Sequence, residues 1–274
     1  MLIETDNYPK VLYKYKSFDK NNYTYDMLEN GNLYFASAKS FNDPFDSALP
    51  YNFEGINSKK GEIWVKKLIN KEFSNLGEDK RIKISEGTQK RIGTPEHIKK
   101  MKKDIIEKQY DKFGIHSLSA NNKNILMWSH YTNNHKGLCI GINTNKLIDK
   151  FLEKANKGIL LDLLKVEYKN KMPDINFFDS MLDKKSETKD LYDLISIKSK
   201  DWSYENEYRL VLWDKVNFKM NFGTEIISEI VLGCKADKSD VNKTKNICDN
   251  YNHEVKLYKA IKSNKNFEIV LEEI

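Results

Sequence analysis

The chain has 274 residues, of which 39% are hydrophobic, 12% aromatic and 31% charged, with a formal net charge of +6. That is enough chain for one large domain or two small ones, and enough aromatic residues for a substantial core; the mild charge argues against a protein that coats nucleic acid but leaves a polyanionic ligand open. Cys139, Cys234 and Cys248 lack CxxC spacing, no apolar run reaches the roughly 20 residues of a membrane helix, and the first six residues lack a signal-peptide layout, so a disulfide scaffold, a zinc ribbon and a membrane protein are set aside and a reduced, cytoplasmic protein is expected.

In chain order, Val11 to Phe18 alternates as a strand, and Tyr23 to Asn30 reads as a short helix with Thr24 as N-cap and Gly31 at C′. Asn32 to Ala36 is a second strand, followed by the polar loop Ser37 to Asp46. Residues 58–112 show helical spacing in two runs, Ile63 to Phe73 and Ile98 to Tyr110. The charged stretch Gly77 to Gly93 between them is expected to be a mobile surface loop, so the region reads as a helical insertion. Strands are expected at Phe113 to Leu118, Gly137 to Ile142 and Leu164 to Tyr168, and a helix at Asn145 to Ala155. Ile125 to Tyr131 suits either a short helix or a strand, and helical spacing returns over Phe177 to Lys200. The chain closes with strands at Glu229 to Gly233, Glu254 to Tyr258 and Phe267 to Leu271 and a helix at Ser239 to Asn250. Strands with helices inserted at intervals, without regular βαβ alternation, predict a single α+β domain built on a mixed, largely antiparallel sheet.

Four constellations carry chemistry. Trp202 to Trp213 reads as one strand, whose alternation points Glu205, Glu207 and Arg209 one way and Tyr204, Tyr208, Leu210 and Leu212 the other. Two carboxylates beside a guanidinium form either an ion-pair ladder or a site acting on a hydroxyl, a developing cation or a metal. Trp128-Ser129-His130-Tyr131 followed by His135-Lys136-Gly137 offers histidines for proton transfer, or a core histidine and a loop histidine, with Gly137 easing the turn into the next strand. Asn42-Asp43-Pro44-Phe45-Asp46 makes a stiff turn that either is structural or presents Asn42 or Asp43 to a ligand, with Phe41 and Phe45 anchored in the core. Tyr13 and Tyr15 share one face of the first strand and Lys14 and Lys16 the other, a pattern suited to phosphate and base contacts or to a solvated edge.

Together these motifs resemble a bacterial family, domain of unknown function 2971, through Leu12 to Tyr15, Leu28 to Phe35, Phe41 to Asp46, Met127 to Gly137 and Trp202 to Arg209. More distantly, the order of strand, helix, glycine, strand and loop with a late ExE resembles the ADP-ribosyltransferase fold, in which split sheets form a cleft for NAD. That resemblance implies Tyr13, Lys14 or Tyr15 as the first NAD-holding position, Ser37 or Tyr34 as the second, and Glu207 as the catalytic carboxylate with Glu205 as the first Glu of ExE. Lys14 stands where that fold carries His or Arg. His130 joins the carboxylates as a catalytic candidate, and Asn42, Asp43, Tyr131 and Arg209 complete the expected NAD contacts.

The expectation is therefore an NAD-using ADP-ribosyltransferase or NAD glycohydrolase, of the kind that serves as a bacterial toxin or phage-defence effector modifying nucleic acid or protein. The alternatives are a nuclease or phosphoesterase holding Mg²⁺ or Mn²⁺ on Asp43, Asp46, His130, Glu205 and Glu207, or a non-enzymatic nucleotide- or phage-sensing module around Trp128 and Tyr131. A nucleotide or nucleic-acid partner fits each reading, and a membrane fits none.

Overall fold

A computed structural model describes residues 8–18, 23–48 and 50–274. Its elements are β1 (Val11–Lys16), α1 (Tyr23–Asn30), β2 (Asn32–Ser37), β3 (Tyr51–Asn52), α2 (Lys59–Glu72), α3 (Glu78–Ile92), α4 (Pro95–Gln109), β4 (Phe113–Ser119), α5 (Ile125–Tyr131), β5 (Leu138–Asn143), α6 (Thr144–Ala155), β6 (Leu161–Lys165) and β7 (Glu167–Lys169). They continue with β8 (Ile175–Asn176), α7 (Phe177–Leu182), α8 (Lys184–Ser196), β9 (Ile197–Ser199), β10 (Glu207–Trp213), β11 (Phe218–Asn221), β12 (Ile227–Leu232), α9 (Lys238–Asp249), β13 (Lys256–Lys262) and β14 (Ile269–Glu273). The chain divides into two compact units, one of residues 1–37, 112–166 and 200–274, the other of residues 38–111 and 167–199. The helical stretch 58–112 falls almost wholly in the second. No helix among the described residues is long and apolar enough to cross a membrane.

The first unit is built on a ten-stranded sheet in the order β11-β2-β4-β1-β5-β12-β13-β14, with β10 on β4 and β6 on β10. The fold is α+β with a mixed, largely antiparallel sheet: β12 and β13 run parallel, and the other pairs of this sheet are antiparallel. Strand alternation gives the sheet two apolar faces. Leu12, Leu118, Ile140 and Leu210 pack with Met27 and Leu28 of α1 and Leu147 and Ile148 of α6. Tyr15, Cys139, Val231 and Ala260 pack with Met127 and Trp128 of α5. The apolar run Leu138 to Ile142 is buried throughout because β1 and β12 cover the edges of β5, residues of α1 and α6 pack on one face, and residues of α5 pack on the other.

One feature of this sheet positions the candidate site. β4 pairs with β2 near its start, through Ser37↔Gly114 and Ala36↔Ile115, and with β1 at its end, through Tyr13↔Ser119. β1 and β2 therefore part over His116 to Leu118, and the sheet forks there. Lys14 reaches into the fork and donates to the Ser117 carbonyl at 2.8 Å. An edge carbonyl that no strand serves is thus satisfied by an ammonium group.

Two local expectations change. Thr24 lies inside α1 rather than capping it; it is fully buried and its hydroxyl donates to the Ser17 carbonyl at 2.7 Å. Gly137 answers a close approach rather than a turn, since a Cβ there would sit 2.1 Å from the Lys16 carbonyl oxygen. Gly31 is left-handed at φ 66°, as its C′ position requires.

The second unit has an aromatic core, with Phe53 stacked on Phe177 at 4.8 Å and Trp64 edge-on to Phe177 at 5.1 Å. Two short parallel pairs, β3–β8 and β7–β9, accompany its helices. Gly77 to Gly93, expected to be a loop, forms the 15-residue helix α3 instead. Its glycines 77 and 93 cap the ends, and Lys, Arg, Glu and Gln between them favour helix even though the apolar stripe is thin. The helical run from Phe177 breaks at Asp183, whose carboxylate caps α8 by accepting the Ser186 amide at 2.9 Å. Phe45, expected in the core, is 59% exposed, while Asp43 and Asp46 on either side of it are buried.

Candidate functional site

The expected strand from Trp202 begins only at Glu207. Residues Lys200–Glu205 form a 3-10 turn, and Asn206 then adopts a left-handed conformation at φ 45°, which Asn tolerates better than most residues. Glu205 therefore leaves the strand face that it was expected to share with Glu207. It is buried, its carboxylate accepts the Tyr131 hydroxyl at 2.6 Å, and its carbonyl accepts the Ser119 hydroxyl at 2.6 Å.

Glu207 and Arg209 do share a face of β10. The guanidinium grips the carboxylate with two bonds, Nε to Oε1 at 2.9 Å and Nη2 to Oε2 at 3.1 Å, and both side chains are buried. This is the fork-to-fork geometry that Arg supplies and Lys does not. Burial, together with Lys16, draws the Lys14 ammonium down to about 8, against the opposing pull of Glu207 and Glu205.

Register lines up a polar row across five strands. Glu207 partners Ser119, Ser119 partners Tyr13, Tyr13 partners Gly141, and Gly141 partners Glu229. Cα partners in a sheet present their side chains on the same face, so these residues stand side by side. Gly141 is the gap in the row: a Cβ there would meet Glu229 Cγ at 2.4 Å. The space lets Glu229 bond the Tyr13 phenol, whose pKa is raised by burial first and by this carboxylate second. Asn122 donates to Glu229 at 3.2 Å.

Helix α5 roofs this face and is fixed at both ends. Asn124 caps it by accepting the amides of Leu126 and Met127 at 2.9 and 3.1 Å, and donates to the Tyr204 carbonyl at 3.2 Å. The Trp128 indole donates to Asn122 and the Tyr15 hydroxyl to Asn121, at 2.9 and 2.8 Å. The chain leaves α5 through three consecutive left-handed residues, Asn133, Asn134 and His135. The His135 ring stacks over Trp128 at 6.5 Å, and its Nδ1 is buried without a bond.

The structure thus brings Tyr13, Lys14, Tyr131, Glu205, Glu207 and Arg209 to one region of the first unit. Tyr15 is beside them, but its hydroxyl is spent on the backbone. His130 is exposed, with its ring 6.4 Å from Tyr131 and 6.2 Å from Tyr204. Tyr34 and Ser37 are not at this place. Both bond Asn217, and Ser37 partners Gly114, five residues and about 16 Å of strand away from Ser119. Asn42, Asp43 and Asp46 belong to the second unit. Among the described residues no group of three or more His, Cys, Asp or Glu is placed to hold a metal ion. A groove of about 670 Å³ between α2 and α3 contains none of the expected residues; its walls mix Glu62, Glu78 and Glu86 with Lys66, Arg81 and Lys90.

Sequence reasoning missed Ser119, Asn122, Glu229 and His116. His116 sits in the fork, its Nδ1 bonded to the Tyr34 carbonyl at 3.0 Å and its Nε2 buried without a partner. Burial, and then Lys14, holds its pKa well below the ordinary value, so the ring is neutral at pH 7. The expected strand, Phe113 to Leu118, stopped one residue short of Ser119, which closes β4, and nothing local marked Glu229.

Residues 127–210 match the family described as Protein of unknown function (DUF2971). The DUF2971 stretch spans α5 and the opening of β10, and so holds Trp128, Tyr131, Glu205, Glu207 and Arg209. The N-terminal motifs, Leu12 to Tyr15, Leu28 to Phe35 and Phe41 to Asp46, lie before the DUF2971 match. No curated protein and no solved structure matches the chain.

Proposed function

We propose that the ten-stranded unit is an NAD-using enzyme of ADP-ribosyltransferase type, with Glu205 as the catalytic carboxylate. The observation that carries this reading is the placement of Glu205 and its Tyr131 partner at the end of a polar row, Glu207, Ser119 and Tyr13, beside the fork where β1 and β2 part. The residues fit such a ligand. A buried carboxylate oriented by a phenol suits ribose hydroxyls, and the half-buried Tyr13 ring on the same face suits a planar base. NAD would supply the ribose carbon from which nicotinamide departs. Glu205 favours the positive charge that develops at that carbon because it is buried, where a carboxylate acts strongly. Glu207 and Arg209 neutralise each other and act as positioning residues that hold the start of β10 against β4. The acceptor class is nucleic acid or protein.

The test is incubation of the full chain with adenylate-labelled NAD, with and without cell extract, reading label transfer, nicotinamide release and the melting temperature. The expected result is turnover that Glu205→Gln lowers at least about 100-fold without unfolding the protein, and that Tyr131→Phe lowers by less. No transfer, no hydrolysis and no shift of melting temperature with NAD would end the reading.

A further inference from the structure

The turn Asn42 to Asp46 belongs to the second unit and has no part in the proposal above. Its construction is unusual. Asp43 Oδ1 accepts the Phe45 amide at 2.9 Å and the Asp43 carbonyl accepts the Asp46 amide at 3.2 Å, closing the turn around Pro44. Asp46 pairs with Lys198 of β9 at 3.3 Å, both side chains being 5% exposed or less, and accepts the Ser47 hydroxyl at 3.0 Å. One buried carboxylate therefore shapes the turn and the other anchors it to β9, and the aromatic ring between them is held out in water.

Beside the ring is a cavity of about 160 Å³, walled by Phe45, Lys169, Lys171, Met172, Ile197 and Lys198. Lys169, Lys171 and Met172 are exposed, and Lys169 pairs with the exposed Glu167 at 3.1 Å. The volume equals about five waters, room for one planar ring and not for a dinucleotide. An aromatic face on a stiff turn, flanked by ammonium groups, is the arrangement that stacks a base and meets its phosphate. An acidic peptide would use the lysines but has no need of the ring.

We propose that this pocket binds one nucleotide unit, its base stacked on Phe45 and its phosphate met by Lys169 and Lys171. The unit comes either from a free mononucleotide or from a single-stranded nucleic acid. The site is independent of the NAD reading.

The experiment is fluorescence anisotropy of the full chain with a labelled ten-nucleotide single strand at two salt concentrations, with AMP and a deca-glutamate peptide as competitors. Saturable, salt-sensitive binding is expected, weakened about 5- to 150-fold by Phe45→Ala and retained by Phe45→Trp. Lys169→Ala with Lys171→Ala is expected to flatten the salt dependence. Phe45 is exposed, so the melting temperature of Phe45→Ala should match that of the parent chain. Displacement by millimolar AMP identifies a free nucleotide as sufficient; binding that only the strand shows identifies the polymer. Absence of binding to either probe, displacement by deca-glutamate as effective as by AMP and unlabelled strand, or unchanged affinity in Phe45→Ala would overturn the proposal. Glu205→Gln is expected to leave strand binding intact, and this separates the outcome from that of the NAD reading.

Discussion

Each unit buries a pair of opposite charges, and the two pairs are made differently. In the sheet unit, Glu207 and Arg209 sit two residues apart on one strand and meet through two bonds of 2.9 and 3.1 Å. In the other unit, Asp46 and Lys198 come from distant parts of the chain and meet at 3.3 Å through a single ammonium group. The first pair stiffens a strand already locked between β4 and β6; the second fastens a loop to the short strand β9. A bidentate pair fixes orientation as well as distance, whereas a lysine fixes only a point. The bidentate pair thus fixes the orientation of the start of β10 near Glu205, whereas the Phe45 turn, stiff in itself, is held to β9 at one point.

The strongest way to break this comparison is Arg209→Met. It removes the guanidinium that neutralises the buried Glu207 and should cost about 3–5 kcal/mol in denaturant unfolding, whereas Glu207→Leu with Arg209→Met together should recover much of that loss. A loss below about 1 kcal/mol in the single variant would mean that water reaches the pair. Next comes Lys14, a third charge in the sheet unit. Its folded pKa, about 8, lies below the unfolded value of 10.5, so between those values the unfolded chain keeps a proton that the folded chain has released. Stability should therefore rise as pH climbs from about 8 towards 10, by up to about 3 kcal/mol, and Lys14→Met should flatten that rise in urea midpoints measured at pH 7.5 and 9.5. The smallest effect is expected in the second unit. Lys198→Met should cost about 2 kcal/mol, the value of one charged hydrogen bond, and should loosen nucleotide binding at Phe45. A cost equal to that of Arg209→Met would erase the distinction between the pairs.

Much of the sheet unit was legible in the sequence because its signals are local. The alternation of Val11 to Lys16, the Gly after α1 and the apolar run of β5 each act over a few residues. Glu205 was misplaced because one residue, Asn206, turns left-handed and resets the alternation that the flanking aromatics imply. The row from Glu207 to Glu229 was invisible for a different reason: it exists only through the register of five strands, and Gly141 matters only for the side chain that its neighbour lays across it. In the second unit, α3 was hidden by its polarity. Phe45 misled because hydrophobicity is a sound guide to burial only where no polar group has a stronger claim on the interior, and Asp43 and Asp46 take that place.

The exit from α5 carries a cost with a use. Asn133, Asn134 and His135 each hold a backbone shape that L-residues disfavour by roughly 1–2 kcal/mol, less for Asn. The Asn134 and His135 amides donate to the Ser129 and Trp128 carbonyls, and the Lys136 and Gly137 amides that follow donate to the Thr132 carbonyl, so the end of α5 sets the bend. The bend and the Tyr131–Glu205 bond thus depend on the same helix, because α5 supplies both the carbonyls that close the bend and the hydroxyl that orients the carboxylate.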